Sequence, residues 1–308
     1  CHRILIMKNY KKNLSPLFIF LLLGAWTNFA NADDPVACTG SGTAASPITD
    51  TGDALSCLTE PDIYKIKIYE MGLCTGAPTL ANMATTCISA LDNPAGGLVT
   101  VANGANSDVL GTFTRPANGT YNYGYLVIAP EFRVTATKTF ANTTTLAGKT
   151  GNGSTCWTLA GTFRDSKSDT AYDGSGTLTP ISGGDRTTYM AECGTLEVAA
   201  PAETIIVQDS FNGNKLENSG LATVSFADGG STISGSLTDS DLVLAGTSAA
   251  VTRLVGFVSF AEPVTITDDS TTFVSSFRIS KGSLMDYATG DKMTYIGSGP
   301  FFPRLSVE

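Results

Sequence analysis

Tyr64-Lys65-Ile66-Lys67-Ile68 alternates apolar and charged side chains without a break. At a period of two, Tyr64, Ile66 and Ile68 share one face and the lysines share the other, the pattern of a half-buried strand. The same period returns in Thr120–Ala129, where Tyr121, Tyr123, Tyr125 and Val127 alternate with Leu126 and Ile128. It returns again in Phe132-Arg133-Val134-Thr135-Ala136, and the Ala129-Pro130-Glu131 link between the two predicts a hairpin-like reversal. Leu98–Ala102, Val109–Thr114, Thr155–Phe163, Thr187–Cys193 and Leu196–Ala199 read as further strands. Met71-Gly72-Leu73-Cys74 reads as a turn out of the first one. Thr79–Leu91 is the stretch that suits a short helix.

From Thr204 onward a second series begins: Thr204–Gln208, Leu221–Phe226, Ser231–Ser236, Leu242–Leu244, Val251–Phe260, Pro263–Thr267 and Thr271–Ile279. Gly, Asp, Asn and Ser separate most of these segments, as turns require. Val251–Phe260 is apolar on both faces, which predicts a central strand. About seven short strands in roughly 100 residues is the spacing of a β-sandwich. Ala199-Ala200-Pro201-Ala202 reads as a joint between the two series. The expected fold class is all-β: two antiparallel β-sandwich-like domains, over 33–199 and 203–308, after a cleaved signal peptide in 1–32.

That leader is read from Lys8, Lys11 and Lys12, the apolar run Leu17–Trp26, and Ala30-Asn31-Ala32 at the cleavage position. Met7 is taken as the start, and Cys1–Ile6 as upstream residues. The order basic, apolar, small is that of a secretory signal, and the run is short for a membrane span. After Ala32 no stretch approaches the ~20 apolar residues that a spanning helix needs. The mature chain is expected to be secreted or at the cell surface, periplasmic or extracellular, with no membrane span of its own.

Removing 1–32 sharpens the charge. The chain has 19 Lys and Arg against 28 Asp and Glu; the leader holds four of the basic groups and no acidic one, leaving 15 against 28, a net −13. Such a chain has little with which to neutralise phosphates, so nucleic acid is not an expected partner. The one histidine is His2, inside the leader. Ser-His-Asp and Cys-His catalysis and the usual zinc sites are thereby excluded from 33–308. A carboxylate-pair glycosidase and an oxygen-ligand calcium site stay open.

The mature chain keeps Cys38, Cys57, Cys74, Cys87, Cys156 and Cys193. An even number in an exported chain reads as disulfides, and the spacings favour neighbours pairing in order: 38–57, 74–87 and 156–193. Each such loop stabilises by very roughly 3–4 kcal/mol on the chain-entropy model. All six precede residue 200, so only the first segment would be stapled.

Tyr121, Tyr123 and Tyr125 form a row suited to stacking on sugar rings, or simply to sheet packing. Trp157 adjoins Cys156 and reads as core. Asp165, Asp169 and Asp173 recur every fourth position in a polar loop, a candidate calcium site, although calcium loops place carboxylates at alternate positions. Asp209, Asn212, Asn214 and Glu217 form a second such loop, with Asp239, Asp241 and Asp268-Asp269 as further candidates. Asn118, Asn142 and Asn152 stand in glycosylation sequons, which matter only in a host that uses them.

The expected function is an exported, non-catalytic surface, structural or adhesion-type protein, self-associating through strand edges into a homo-oligomer or filament. Lys and Pro, which blunt edges, are sparse in 203–308. The alternatives are a carbohydrate-binding module or glycosidase, with a glycan as partner, and a calcium-dependent binding module. No cofactor other than calcium is expected.

Overall fold

The computed structural model describes residues 36–49, 55–101, 108–141, 146–147, 151–166, 191–211, 214–288 and 292–307. The leader expected over 1–32 lies outside them. The order is β1 (Val36–Ala37), β2 (Leu55–Thr59), β3 (Ile63–Cys74), α1 (Met83–Thr86), β4 (Cys87–Val101), β5 (Thr112–Phe113) and β6 (Gly119–Thr135). There follow β7 (Thr137–Thr139), β8 (Leu146–Ala147), β9 (Asn152–Gly153), β10 (Thr155–Thr158), β11 (Gly161–Arg164), β12 (Ala191–Gly194) and β13 (Thr204–Val207). The chain then forms β14 (Thr223–Asp228), β15 (Ser231–Thr238), β16 (Arg253–Ile266), β17 (Phe273–Arg278), β18 (Ser283–Ala288), β19 (Lys292–Ser298) and β20 (Phe302–Val307). The protein is all-β, with one four-residue α-helix among the described residues. No described helix is long and apolar enough to cross a membrane.

The largest sheet runs β14-β15-β16-β6-β3-β4-β5, and β13 joins it beside β6, with β11 parallel beyond β13. The central strand is β6. Strands from both sides of the 199–203 joint share this sheet and do not form separate ones: β16 pairs with β6 from Leu254/Ile128 to Ile266/Gly119. Ala37–Glu308 clusters as one compact unit. The smaller sheets run β1-β2-β18-β19-β8-β9, β12-β10-β7 and β17-β20.

One core joins all four sheets. Ile66, Ile68, Leu126 and Ile128 of the large sheet pack in the same cluster as Met285, Ile296, Cys156 and Phe277. Burying one such aliphatic or aromatic side chain contributes about 1.5–3 kcal/mol. Tyr64, Ile66 and Ile68 are wholly buried while Lys65 and Lys67 stay partly exposed, as the alternation requires.

Several boundaries differ from the sequence pattern, each for a physical reason. β6 runs straight through Ala129-Pro130-Glu131. Ile66 pairs with Phe132 and Ile68 with Ile128, so three residues of β6 lie where β3 has one. Proline has no N–H for a ladder, and a bulge is where a central strand tolerates it. The Pro130 carbonyl still accepts a bond from the Gln208 N–H at 2.6 Å. β3 continues to Cys74 where a turn was expected. β16 fuses two predicted strands across an irregularity between Ser259 and Val264 that contains Pro263. Thr79–Leu91 is helical only over Met83–Thr86, and Cys87–Leu91 belongs to β4. Leu196–Val198 is a 3-10 turn and not a strand. Leu242–Leu244 contributes a single bridge, Thr238 to Leu244.

The disulfides are Cys38–Cys57, Cys74–Cys87 and Cys156–Cys193, the pairing that the spacings favour. The last two join residues directly opposite on neighbouring strands, Cys74 with Cys87 and Cys156 with Cys193. Each therefore locks a register that the ladder already sets.

Candidate functional site

The tyrosine row does not form one open face. Tyr121 is 2 % exposed in the main core, and its hydroxyl donates to the Ala117 carbonyl at 2.8 Å. Tyr125 lies in a smaller cluster with Cys74, Val127, Val255 and Phe257, and Tyr123 packs partly against it. The β16 irregularity falls between the partners of Tyr123 and Tyr121, and such bulges sharpen strand twist. Tyr125 donates to Glu70 Oε1 at 2.5 Å. Burial first, and then this carboxylate, push its phenol well above the ordinary tyrosine range. Its ring lies across Gly72, its partner on β3, where a Cβ would stand 2.2 Å from Cε1. Of the three rings only Tyr123 is more than marginally accessible.

Trp157 is 5 % exposed and lies against Gly194, while the adjacent Cys156 belongs to the main core. Alternation along β10 turns the two side chains to opposite faces.

The two candidate acidic loops meet. β11 and β13 are parallel neighbours, so the residues that follow them emerge side by side. The Asp209 carboxylate accepts the Ser166 N–H at 2.7 Å, the Ser166 hydroxyl at 2.8 Å and Arg164 Nη1 at 3.3 Å. Ser210 donates to Asp165 Oδ2 at 2.6 Å. The Ser248 hydroxyl donates to the Asp209 carbonyl at 2.9 Å and accepts the Leu216 N–H at 3.0 Å. Glu217 accepts the Ser248 N–H at 3.0 Å; its own amide, and then that of Ser248, hold its carboxyl below the usual range. Ser166, Asp209, Ser210 and Ser248 form a buried polar knot, with Asp165 half-buried and Arg164 and Glu217 exposed at its rim, in which loop amides and hydroxyls satisfy carboxylates. Asp169, Asp173 and Asn212 lie outside the described residues.

Asp239, Asp268 and Glu203 are engaged as well. Asp239 accepts the N–H groups of Asp241 and Val243, and Asp268 accepts Asn118 Nδ2 at 2.5 Å. Glu203 takes Lys65 at 2.6 Å and Arg133 at 3.1 Å, and the lysine first holds its carboxyl below the ordinary range. Among the described residues no group of three or more His, Cys, Asp or Glu is arranged to hold a metal ion.

A groove of about 300 Å³ opens beside β5. Met71, Leu91, Val109, Gly111 and Phe113 line it from one part of the chain, and Thr271, Thr272, Phe273 and Ser275 from another. The Phe113 and Phe273 rings stand 5.7 Å apart across it, and among the described residues no titratable side chain lines it. No local pattern marks this groove, because its walls come from segments about 160 to 200 residues apart.

Among the described residues three strands end the large sheet: β5, β14 and, on the branch through β13, β11. β5 is two residues long, and its neighbour β4 carries Pro94 and register shifts. β14 is six residues long, pairs with β15 without a shift, and contains neither Lys, Arg nor Pro. Comparison with protein-family models, with curated proteins and with solved structures gives no match.

Proposed function

We propose that this chain is an exported, non-catalytic structural or adhesion-type protein, built as a β-sandwich, that acts through its surface and associates with itself through strand edges. The observation that carries this reading is β14, a regular edge strand with no Lys, Arg, Pro or bulge to blunt it and a single charge, Asp228, at its last position. The chemistry of the chain agrees. Histidine is absent from 33–308, and the described carboxylates named above are occupied with amides, hydroxyls and cations of their own loops. Three disulfides fit a compartment outside the cytoplasm.

The test is expression of the full chain in a secretion-competent host, followed by fractionation. The protein should leave the cytoplasm, begin at Asp33 by mass spectrometry, and elute larger than a single chain. Cytoplasmic retention, or turnover of polysaccharide substrates by the purified protein, would overturn it.

A further inference from the structure

We infer that two copies of this chain join antiparallel along β14, about a two-fold axis at Ser225, to make one sheet continuous through both copies. The inference rests on the self-association proposed above and names its site, partner and register.

The hairpin fixes which backbone groups are free. Asp228 and Ser231 are cross-strand partners closed by Gly229 and Gly230, with φ of 55° and 81°. Positive φ at both central residues is the two-residue hairpin turn, and it makes the closing pair a hydrogen-bonded one. Alternation along the ladder then gives inward bonds to Val224 and Phe226. The bond from the Leu237 N–H to the Ala222 carbonyl, at 2.8 Å, fixes the same parity independently. Thr223, Ser225 and Ala227 therefore aim their N–H and C=O groups away from β15. No described residue bonds to these backbone groups.

That row is complementary to itself. With Ser225 opposite its own copy, Thr223 meets Ala227 of the second chain, and the free groups form about six hydrogen bonds between chains. Val224 falls opposite Phe226 of the second chain, twice over. Both side chains are half-buried in the single chain, and apolar cross-strand pairs of this kind stabilise a sheet. No charged residue lies between Thr223 and Ala227, and Asp228 falls opposite Ala222 of the second chain, so the pairing sets no like charges face to face. This matters for a chain of net −13 over 33–308. The contact is isologous and closes at two copies.

The other edges offer less. β20 carries Pro303 and Arg304. β17 ends on Arg278, β11 ends on Arg164, β7 and β12 are three and four residues long with Lys138 and Glu192 in them, and β1, β5 and β9 are each two residues long.

Sedimentation of the secreted full chain tests the proposal, with Ser225→Pro and Ser225→Lys beside it. Proline removes an N–H that no ladder bond uses, and lysine adds a charge to an exposed side-chain position. Circular dichroism should thus be unchanged in both. The unsubstituted protein should sediment at twice the chain mass, and both variants at the chain mass at the same concentration. If all three sediment alike as a larger species, β14 is not the contact, and the proposal falls while self-association stands. If the unsubstituted protein is a single chain at every concentration, both fall together.

Discussion

Asp209→Ala should cost this protein several kcal/mol of stability, and the structure says where the loss arises. The carboxylate is 3 % exposed and satisfies two donors of Ser166, which is itself 4 % exposed. Truncation leaves the Ser166 N–H and hydroxyl buried without a partner, at about 1–3 kcal/mol each. Arg164, half exposed at 50 %, regains water, so its pair adds little, on the order of 0–1 kcal/mol. The sum is about 3–5 kcal/mol, or roughly 10 °C in melting temperature for a domain of this size. Asp209→Asn keeps one acceptor oxygen for the Ser166 N–H and should fall about half as far. Thermal melts at pH 7 followed by circular dichroism make the measurement, with and without a calcium chelator. A loss below about 1 kcal/mol for Asp209→Ala would refute the assignment of this knot as structural, given the cost of orphaned donors. A chelator-induced drop as large as the mutational one would recast the knot as a calcium site.

Other outcomes follow from single contacts. Gly72→Ala should abolish folding, and Tyr125→Ala should not rescue it, because a Cβ there also stands 2.3 Å from the Ile88 carbonyl; soluble expression of both variants checks this. Glu203→Gln should lower stability at pH 7 and flatten the acid branch. A carboxyl held low by Lys65 and Arg133 stabilises above its unfolded value near 4.5 and loses that contribution as pH falls through its folded one, so the two melting curves should converge in acid. Replacing Cys74 and Cys87 together by Ala removes a cross-link between residues 13 apart and should cost about 3 kcal/mol on the chain-entropy model, measured by chemical unfolding.

The strands were legible where burial is one-sided or a strand is buried on both faces. Tyr64, Ile66 and Ile68 fell on the buried face, and the doubly apolar Val251–Phe260 became a central strand. The disulfide pairing followed from spacing because each cysteine bonds the next one along the chain, at separations of 19, 13 and 37 residues. What local pattern does not hold is partnership between distant segments. Nothing within 119–135 announces that 253–266 lies beside it, so the 199–203 joint looked like a boundary. Pro130 and Pro263 suggested breaks because a proline and a bulge together are indistinguishable, in sequence, from a strand end. The tyrosine row looked continuous because period-two counting takes no account of irregularities in a neighbouring strand. The Asp165 and Asp209 loops each looked like an isolated acidic turn, and only the parallel pairing of β11 with β13 makes them one site.

Electron microscopy of the purified, secreted protein tests the central claim, function through surface association, most directly. In negative stain over a range of concentrations, particles of two joined copies should appear, and Ser225→Pro should disperse them to single particles. A uniformly monomeric field at every concentration would contradict the account.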